Sequence, residues 1–197
     1  MTASPASPAS WDRAAVRDRL AAMAREDAGL RRFGAATHRY RLRPALKEAD
    51  VRAFERRHGV ELPGSYRRFL LHVADGGAGP GHGVVGLTED ADEDEALHDL
   101  RQEDLQPGIL ATPFPHTRAR PGPGNGGDTA YAVHGTLVIG EIGCGAFSRL
   151  VVTGAHAGRV WCDDPVWGGL TPGPDFRAWY GAWLNGPEGA RPVPGAL

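Results

Sequence analysis

One lysine stands against 21 arginines, and two cysteines, Cys144 and Cys162, are the only ones in 197 residues. The lack of lysine removes whole classes of chemistry. A phosphate-binding loop needs a lysine after a glycine-rich turn, and a Schiff-base enzyme needs a desolvated one. Lys47 sits among Pro44, Glu48 and Asp50 at an apparent helix start and suits neither role. Two cysteines are too few for a disulfide framework or a four-ligand zinc set, which agrees with a reducing compartment. No apolar run approaches the roughly 18 residues that cross a bilayer. The opening MTASPASPAS lacks both the basic start and the apolar stretch of a secretory signal. The expected location is therefore the cytoplasm, with no membrane contact.

What is abundant is turn-forming. The chain holds 28 glycines and 16 prolines, more than a fifth of its length, against a usual share of roughly 12%. Hydrophobic residues at 41% and charged residues at 23% are nonetheless globular values. A folded, loop-rich chain with a single main core is expected.

Residues 1–10 read as a solvated tail. Ser10 is a candidate cap for an amphipathic helix running to about Asp27, with Trp11, Leu20 and Met23 near helical spacing. Residues 30–46 alternate around Tyr40 and Leu42 and suggest an extended lead-in. A helix from about Lys47 to His58 buries Val51 and Phe54 and stops at Gly59 in the C′ position. Pro63 suits the first turn of the next helix. That helix aligns Tyr66, Phe69, Leu70 and Val73 on one face and ends at Gly76–Gly77. A short strand over Val84–Leu87 and a polar helix over 88–106, with Leu97, Leu100 and Leu105 inward, follow. Prolines and glycines then predict a long flexible loop over 107–128. GTLVIGEIG, FSRLVVTG and GRVWCDD read as three strands of an antiparallel meander. A closing helix from Asp175 to Leu184 presents Phe176, Trp179, Tyr180 and Trp183. Helices, then strands, then a helix make the fold class α+β, with N-terminal helices packed on an antiparallel sheet.

The segment LKEADVRAFERRHGVELPGSYRRFLLHVADGGAGPGHGVVGL carries Phe54, Glu55, Gly59, Leu62, Pro63, Tyr66, Phe69, Leu70, Gly76 and Gly77. It resembles the SMI1/KNR4 signature of the SUKH superfamily. Downstream, the turn at Gly143 and Gly145, the strand with Trp161 and the aromatic helix are similar to that family's second half. The resemblance spans about Phe33 to Asn185. It implies a SUKH-like domain over 30–185, an accessory helix over 11–29 and a flexible tail over 186–197. It also implies a binding protein without catalytic residues, cofactor or metal. Bacterial relatives of this kind are immunity proteins that neutralise a cognate toxin, often a nuclease, and eukaryotic ones are regulatory scaffolds. The expected function is thus immunity, with a scaffold or small-ligand module for an endogenous partner as the alternative.

Charge is unevenly spread. Residues 1–75 hold 15 basic and 9 acidic side chains, whereas 88–104 holds nine acidic ones against Arg101 alone. Glu89, Asp90, Asp92, Glu93, Asp94 and Glu95 are either a solvated helix start favoured by the helix dipole, or a face that docks on a toxin's basic cleft. The cluster Arg31, Arg32, Arg39, Arg41 and Arg43 comes without a nucleic-acid motif and reads as solvated. Gly81 to Gly86 matches G-x-G-x-x-G literally, yet it follows a helix and opens a strand, the reverse of a dinucleotide site. Eight histidines lack metal-ligand spacing. Cys144 reads as a turn residue, Cys162 as a strand filler, and Asp163–Asp164 as a strand-end turn. Trp167 in PVWGGL is the candidate exposed hot spot.

Overall fold

A computed structural model of the chain describes residues 11–88, 95–122 and 131–186. The expected tail over 1–10, residues 187–197 of the other, the acidic positions Glu89 to Asp94 and residues 123–128 of the 107–128 loop fall outside those residues. The first helix, α1 (Arg13–Glu26), is capped by Asp12 and not by Ser10: the Asp12 carboxylate accepts from the Ala15 N–H at 3.0 Å. Val16, Leu20 and Met23 form its buried stripe. Asp12→Ala should lower the unfolding free energy by about 1 kcal/mol, the usual worth of such a cap, seen as a lower urea midpoint at unchanged slope. Trp11 fastens α1 to the body, since its indole N–H donates to Ser65 O at 2.9 Å and its ring meets Phe69, Phe176 and Tyr180 edge-on.

The expected extended lead-in instead contains a helical turn, α2 (Ala35–His38), entered through left-handed Gly34 at φ 75°. A Cβ at Gly34 would collide with the backbone carbonyl of Gly81, so glycine is what lets this turn lie against the 76–86 loop. Helices α3 (Glu48–His58) and α4 (Gly64–His72) fall where the sequence puts them, with Gly59 left-handed at φ 66° between them. Glu55 holds the joint. Its carboxylate accepts from the Leu62 N–H and from Arg67 Nε, each at 3.0 Å. Tyr66 and Phe69 are fully buried, Leu62 is buried, and Phe54 packs against the core half-buried.

No strand forms over Val84–Leu87; Val84 makes one bridge with Gly77. The reason is Asp75, whose carboxylate takes the Leu87 N–H at 2.6 Å and the Thr88 N–H at 3.2 Å that a ladder would need. Helix α5 is described over Glu95–Asp104 and ends two residues before the 106 expected, while the expected start falls outside the described residues. Four strands follow as a meander in the order β1 (Thr136–Gly143), β2 (Ala146–Val151), β3 (Arg159–Asp164), β4 (Gly169–Asp175), all antiparallel. The last strand is one more than the sequence suggests, and its Pro172 and Pro174 are tolerated because β4 lies at the sheet edge. Asp175 then caps α6 (Phe176–Asn185) by accepting from the Ala178 N–H.

The sheet is covered on both faces. One face, with Leu137, Ile139, Leu150 and Val160, joins Val16, Val51, Tyr66, Phe69, Phe176 and Tyr180 in the main core. The other carries Val138 and Phe147 beneath Leu97 of α5, and Val151, Trp161 and Leu170 beneath Phe114. Residues 107–122 are irregular, as expected, but Leu110 and Phe114 within them are core side chains, 1% and 5% exposed. The fold is α+β.

Candidate protein-docking face

The covering layer is locked down by charge. Arg149 sits on the α5 side of β2, 2% exposed, and donates to Asp163 Oδ2 at 2.5 Å and Asp104 Oδ1 at 2.7 Å. Asp104 also accepts from the Val138 N–H at 2.8 Å, and Tyr131 donates to Asp163 at 2.6 Å. Arg101, 4% exposed, donates to Val138 O and Gly86 O. Burial pushes the Asp104 carboxyl above the usual carboxylate range even with Arg149 beside it. Asp163 is thus a buried structural partner and not part of a strand-end turn, while Asp164 does turn the chain, accepting from the Trp167 N–H at 3.0 Å. Arg101 and Asp104 likewise leave the solvated face that the acidic stretch suggested. An arginine inside FSRLVV, where every other side chain is apolar or small, was the signal of such a network.

Two hairpin tips share one end of the sheet. The β1–β2 turn runs through Gly143, Cys144 and Gly145, all three left-handed, so glycine is required on both sides of the exposed cysteine. A Cβ on Gly145 would just reach Val166 of the β3–β4 turn. Trp167 there is 76% exposed and Val166 50%, and Phe33, beside Gly143, is 38% exposed. Among the described residues these three are the exposed large apolar side chains, and they follow one rim of the molecule. The exposure expected of Trp167 is what the structure shows.

Next to that rim, Phe33 meets His82 at 5.1 Å, and His82 leads into a cleft of about 770 Å³. One wall is the arm carrying Thr37, Arg39, Arg41 and Arg43; the other is Gly83, Val84, Val85 and Glu141, with Leu97 at the end. The arm is strained. Arg39 at φ 48° and Tyr40 at φ 57° are consecutive non-glycine residues in the left-handed region, at a cost of about 1–2 kcal/mol each. Surrounding bonds hold them there: Tyr40 N–H donates to His38 Nδ1 at 3.0 Å, Tyr40 Oη to Asp27 Oδ2 at 2.7 Å, and Ala78 N–H to Arg41 O at 2.7 Å. Burial pushes the Asp27 carboxyl up, but the bonds from Tyr40, Arg31 N–H and Arg32 N–H outweigh it, so the group lies below its ordinary range. Burial, with His82 nearby, drops His38 to about 4, so its ring is neutral at pH 7.

The arginines expected to be solvated divide into two groups. Arg32 pairs with Glu26 at 3.1 Å, and Arg43 donates to Thr88 Oγ1 at 2.6 Å and lies 3.8 Å from Asp75. Arg39 and Arg41 are exposed at the cleft and pair with no carboxylate among the described residues. Of the acidic candidates, Glu95 opens α5 and the other five precede it, outside the described residues.

Burial pushes the Cys162 thiol up to about 11, so it stays protonated at neutral pH. Among the described residues no three of His, Cys, Asp and Glu converge as metal ligands, and no helix is long and apolar enough to cross a membrane.

Residues 45–179 match the model of the SMI1 / KNR4 family (SUKH-1). The chain belongs to that family. No curated protein and no solved structure matches it. The SUKH match begins after Arg43 and takes in α3 through the first turn of α6, hence Trp167, the 76–86 loop and the Arg149 network. Its signature positions are mostly structural by their surroundings: Gly76 and Gly77 have positive φ in the Asp75 loop, and Trp161 is fully buried under Phe114. The arm with Arg39, Arg41 and Arg43 lies outside the matched residues, although it forms a wall of the cleft with SUKH residues opposite.

Proposed function

We propose that this SUKH domain is a non-catalytic immunity protein that binds and occludes a cognate toxin. The observation that supports this most is the pairing of family membership with an apolar rim, Phe33, Val166 and Trp167, left exposed at one end of an otherwise closed core. A large, rigid indole on an exposed turn has the makeup of an interface hot spot. Glu89, Asp90, Asp92, Glu93, Asp94 and Glu95 add, from sequence, a block of negative charge that steers a basic partner such as a nuclease.

The test is affinity capture from the native host at low salt, followed by expression of the captured protein in cells lacking this chain. The expected result is killing that co-expression of this chain prevents, with Trp167→Ser weakening the purified complex at least tenfold. Charge reversal of Glu93, Asp94 and Glu95 should slow association and flatten its salt dependence. A captured protein that harms no cells, or a Trp167→Ser chain that binds and protects as well as the native one, would overturn the proposal.

A further inference from the structure

The geometry points to the arginine cleft as a receptor for an acidic segment of the protein partner, gripped by Arg39 and Arg41 beside the apolar rim. This rests on the protein-binding reading above and adds the chemistry of the segment that enters the cleft. Four observations carry it. First, the two guanidiniums are exposed on the wall of a concave site of about 770 Å³ and pair with no carboxylate among the described residues, although Arg32 and Arg43 on the same stretch are engaged. Second, the backbone presenting them is strained at Arg39 and Tyr40, yet fixed by Asp27, His38 and Ala78. Strain held so firmly in a polar cleft is a mark of a preorganised binding element. Third, guanidiniums recognise carboxylates as planar two-pronged partners, and little side-chain ordering remains to be done when their backbone is already rigid. Fourth, the cleft is open and has apolar wall residues, Leu42, Val84, Val85 and Leu97, which suit a peptide with mixed side chains.

A peptide fits this site better than a nucleic acid. Glu141 lines the far wall. A long polyanion would run past the arginines onto that carboxylate, whereas a short segment with two or three carboxylates needs only the arginine wall. Among the described residues the cleft lining contains no Phe, Tyr or Trp on which bases would stack, Phe33 being on the rim beside His82.

The experiment uses the full chain and three fluorescein-labelled probes read by anisotropy from 20 to 300 mM NaCl. They are an eight-residue peptide alternating glutamate with leucine, the same peptide with glutamine for glutamate, and a single-stranded DNA 12-mer. The expected result is binding of the glutamate peptide at low salt, at least tenfold tighter than the glutamine peptide and the DNA. Arg39→Ser with Arg41→Ser should weaken that binding at least tenfold at an unchanged melting temperature, since both side chains are exposed. Trp167→Ser should leave it unchanged. Equal binding of the two peptides, tighter binding of DNA, or an arginine double variant that binds like the native chain would each overturn the inference. Loss of toxin protection in Trp167→Ser together with intact peptide binding concerns the rim alone. Intact toxin protection with no peptide binding defeats the cleft and leaves the immunity reading standing.

Discussion

Arg149→Ala is expected to lower the unfolding free energy by about 3–5 kcal/mol, the range for removing one partner of a buried ion pair. The substitution leaves Asp104 and Asp163 within the covering layer, 2% and 5% exposed, with their counter-charge gone. It removes the donors at 2.5 and 2.7 Å and opens a cavity over β2. Uncompensated burial, not the loss of attraction as such, accounts for most of the effect. A triple variant, Arg149→Met with Asp104→Asn and Asp163→Asn, discriminates between the two. The amides keep acceptors for the Val138 N–H and the Tyr131 hydroxyl, and no ionised group of the three is left. It should recover more than half of the loss in urea denaturation. If it is as unstable as Arg149→Ala, the network contributes through attraction or shape, and the desolvation argument is wrong.

The same network shows where sequence reading succeeds and stops. Gly59, Pro63 and the stripe Tyr66, Phe69, Leu70 are local signals, because helix ends and helix faces are written within about one turn of the residues that need them. The meander and the closing aromatic helix were legible for the same reason. Strand β4 was not: GLTPGPD has the composition of a turn, and only pairing with β3 and the bridge from Arg120 to Leu170 make it a strand. The strand expected at Val84–Leu87 failed because Asp75, 12 residues from Leu87, competes for its backbone donors. Long-range partners of that sort leave no period in the sequence. Arg101 and Asp104 looked like part of a solvated acidic face because the helical pattern did not include a second covered face of the sheet.

The candidate docking face divides along the same line. Trp167 stood out as an aromatic in a glycine turn, which needs no tertiary knowledge. The cleft did not, since its walls come from the separate stretches 36–43 and 77–85 and from Leu97 and Glu141. Nor does the family supply it, because the arginine arm precedes the matched residues. The arm is held by tertiary bonds to Asp27, Ala78 and His38, so the geometry of the cleft depends on the state of those groups.

That dependence sets the second large effect, a loss of stability as pH falls from about 6.5 to 4. His38 drops from an ordinary value of 6.5 to about 4 in the folded chain. Between those values the unfolded chain binds the extra proton and the folded one does not, so stability is complete above pH 6.5 and declines as pH falls through the window. At about 1.4 kcal/mol per unit, the shift corresponds to a loss on the order of 3 kcal/mol. The structure supplies the reason: the ring is packed between Tyr40 and Trp183, and its Nδ1 accepts from the Tyr40 N–H, which a protonated ring cannot do. His82 opposes a charge on His38, and Asp27 favours one. His58 and His116 are also lowered by burial and add to the slope, whereas Glu48, held at about 2 by Arg67 and Arg52, and Asp27 add to it only at the acid end of the window and below. His38→Gln isolates the contribution, because the amide oxygen keeps an acceptor for Tyr40 and does not titrate. Urea denaturation at pH 7.5, 6, 5 and 4.5 should show the variant less stable at pH 7.5 but with a clearly shallower decline. Parallel curves for the two proteins would mean that His38 titrates normally. Because Tyr40 lies between Arg39 and Arg41 and shares the strained backbone with Arg39, protonation of His38 should loosen the arm before the domain unfolds. The arginine cleft should then lose affinity for the glutamate peptide as pH falls toward about 4, and more steeply in the native chain than in His38→Gln, since the peptide loses the same charge against both.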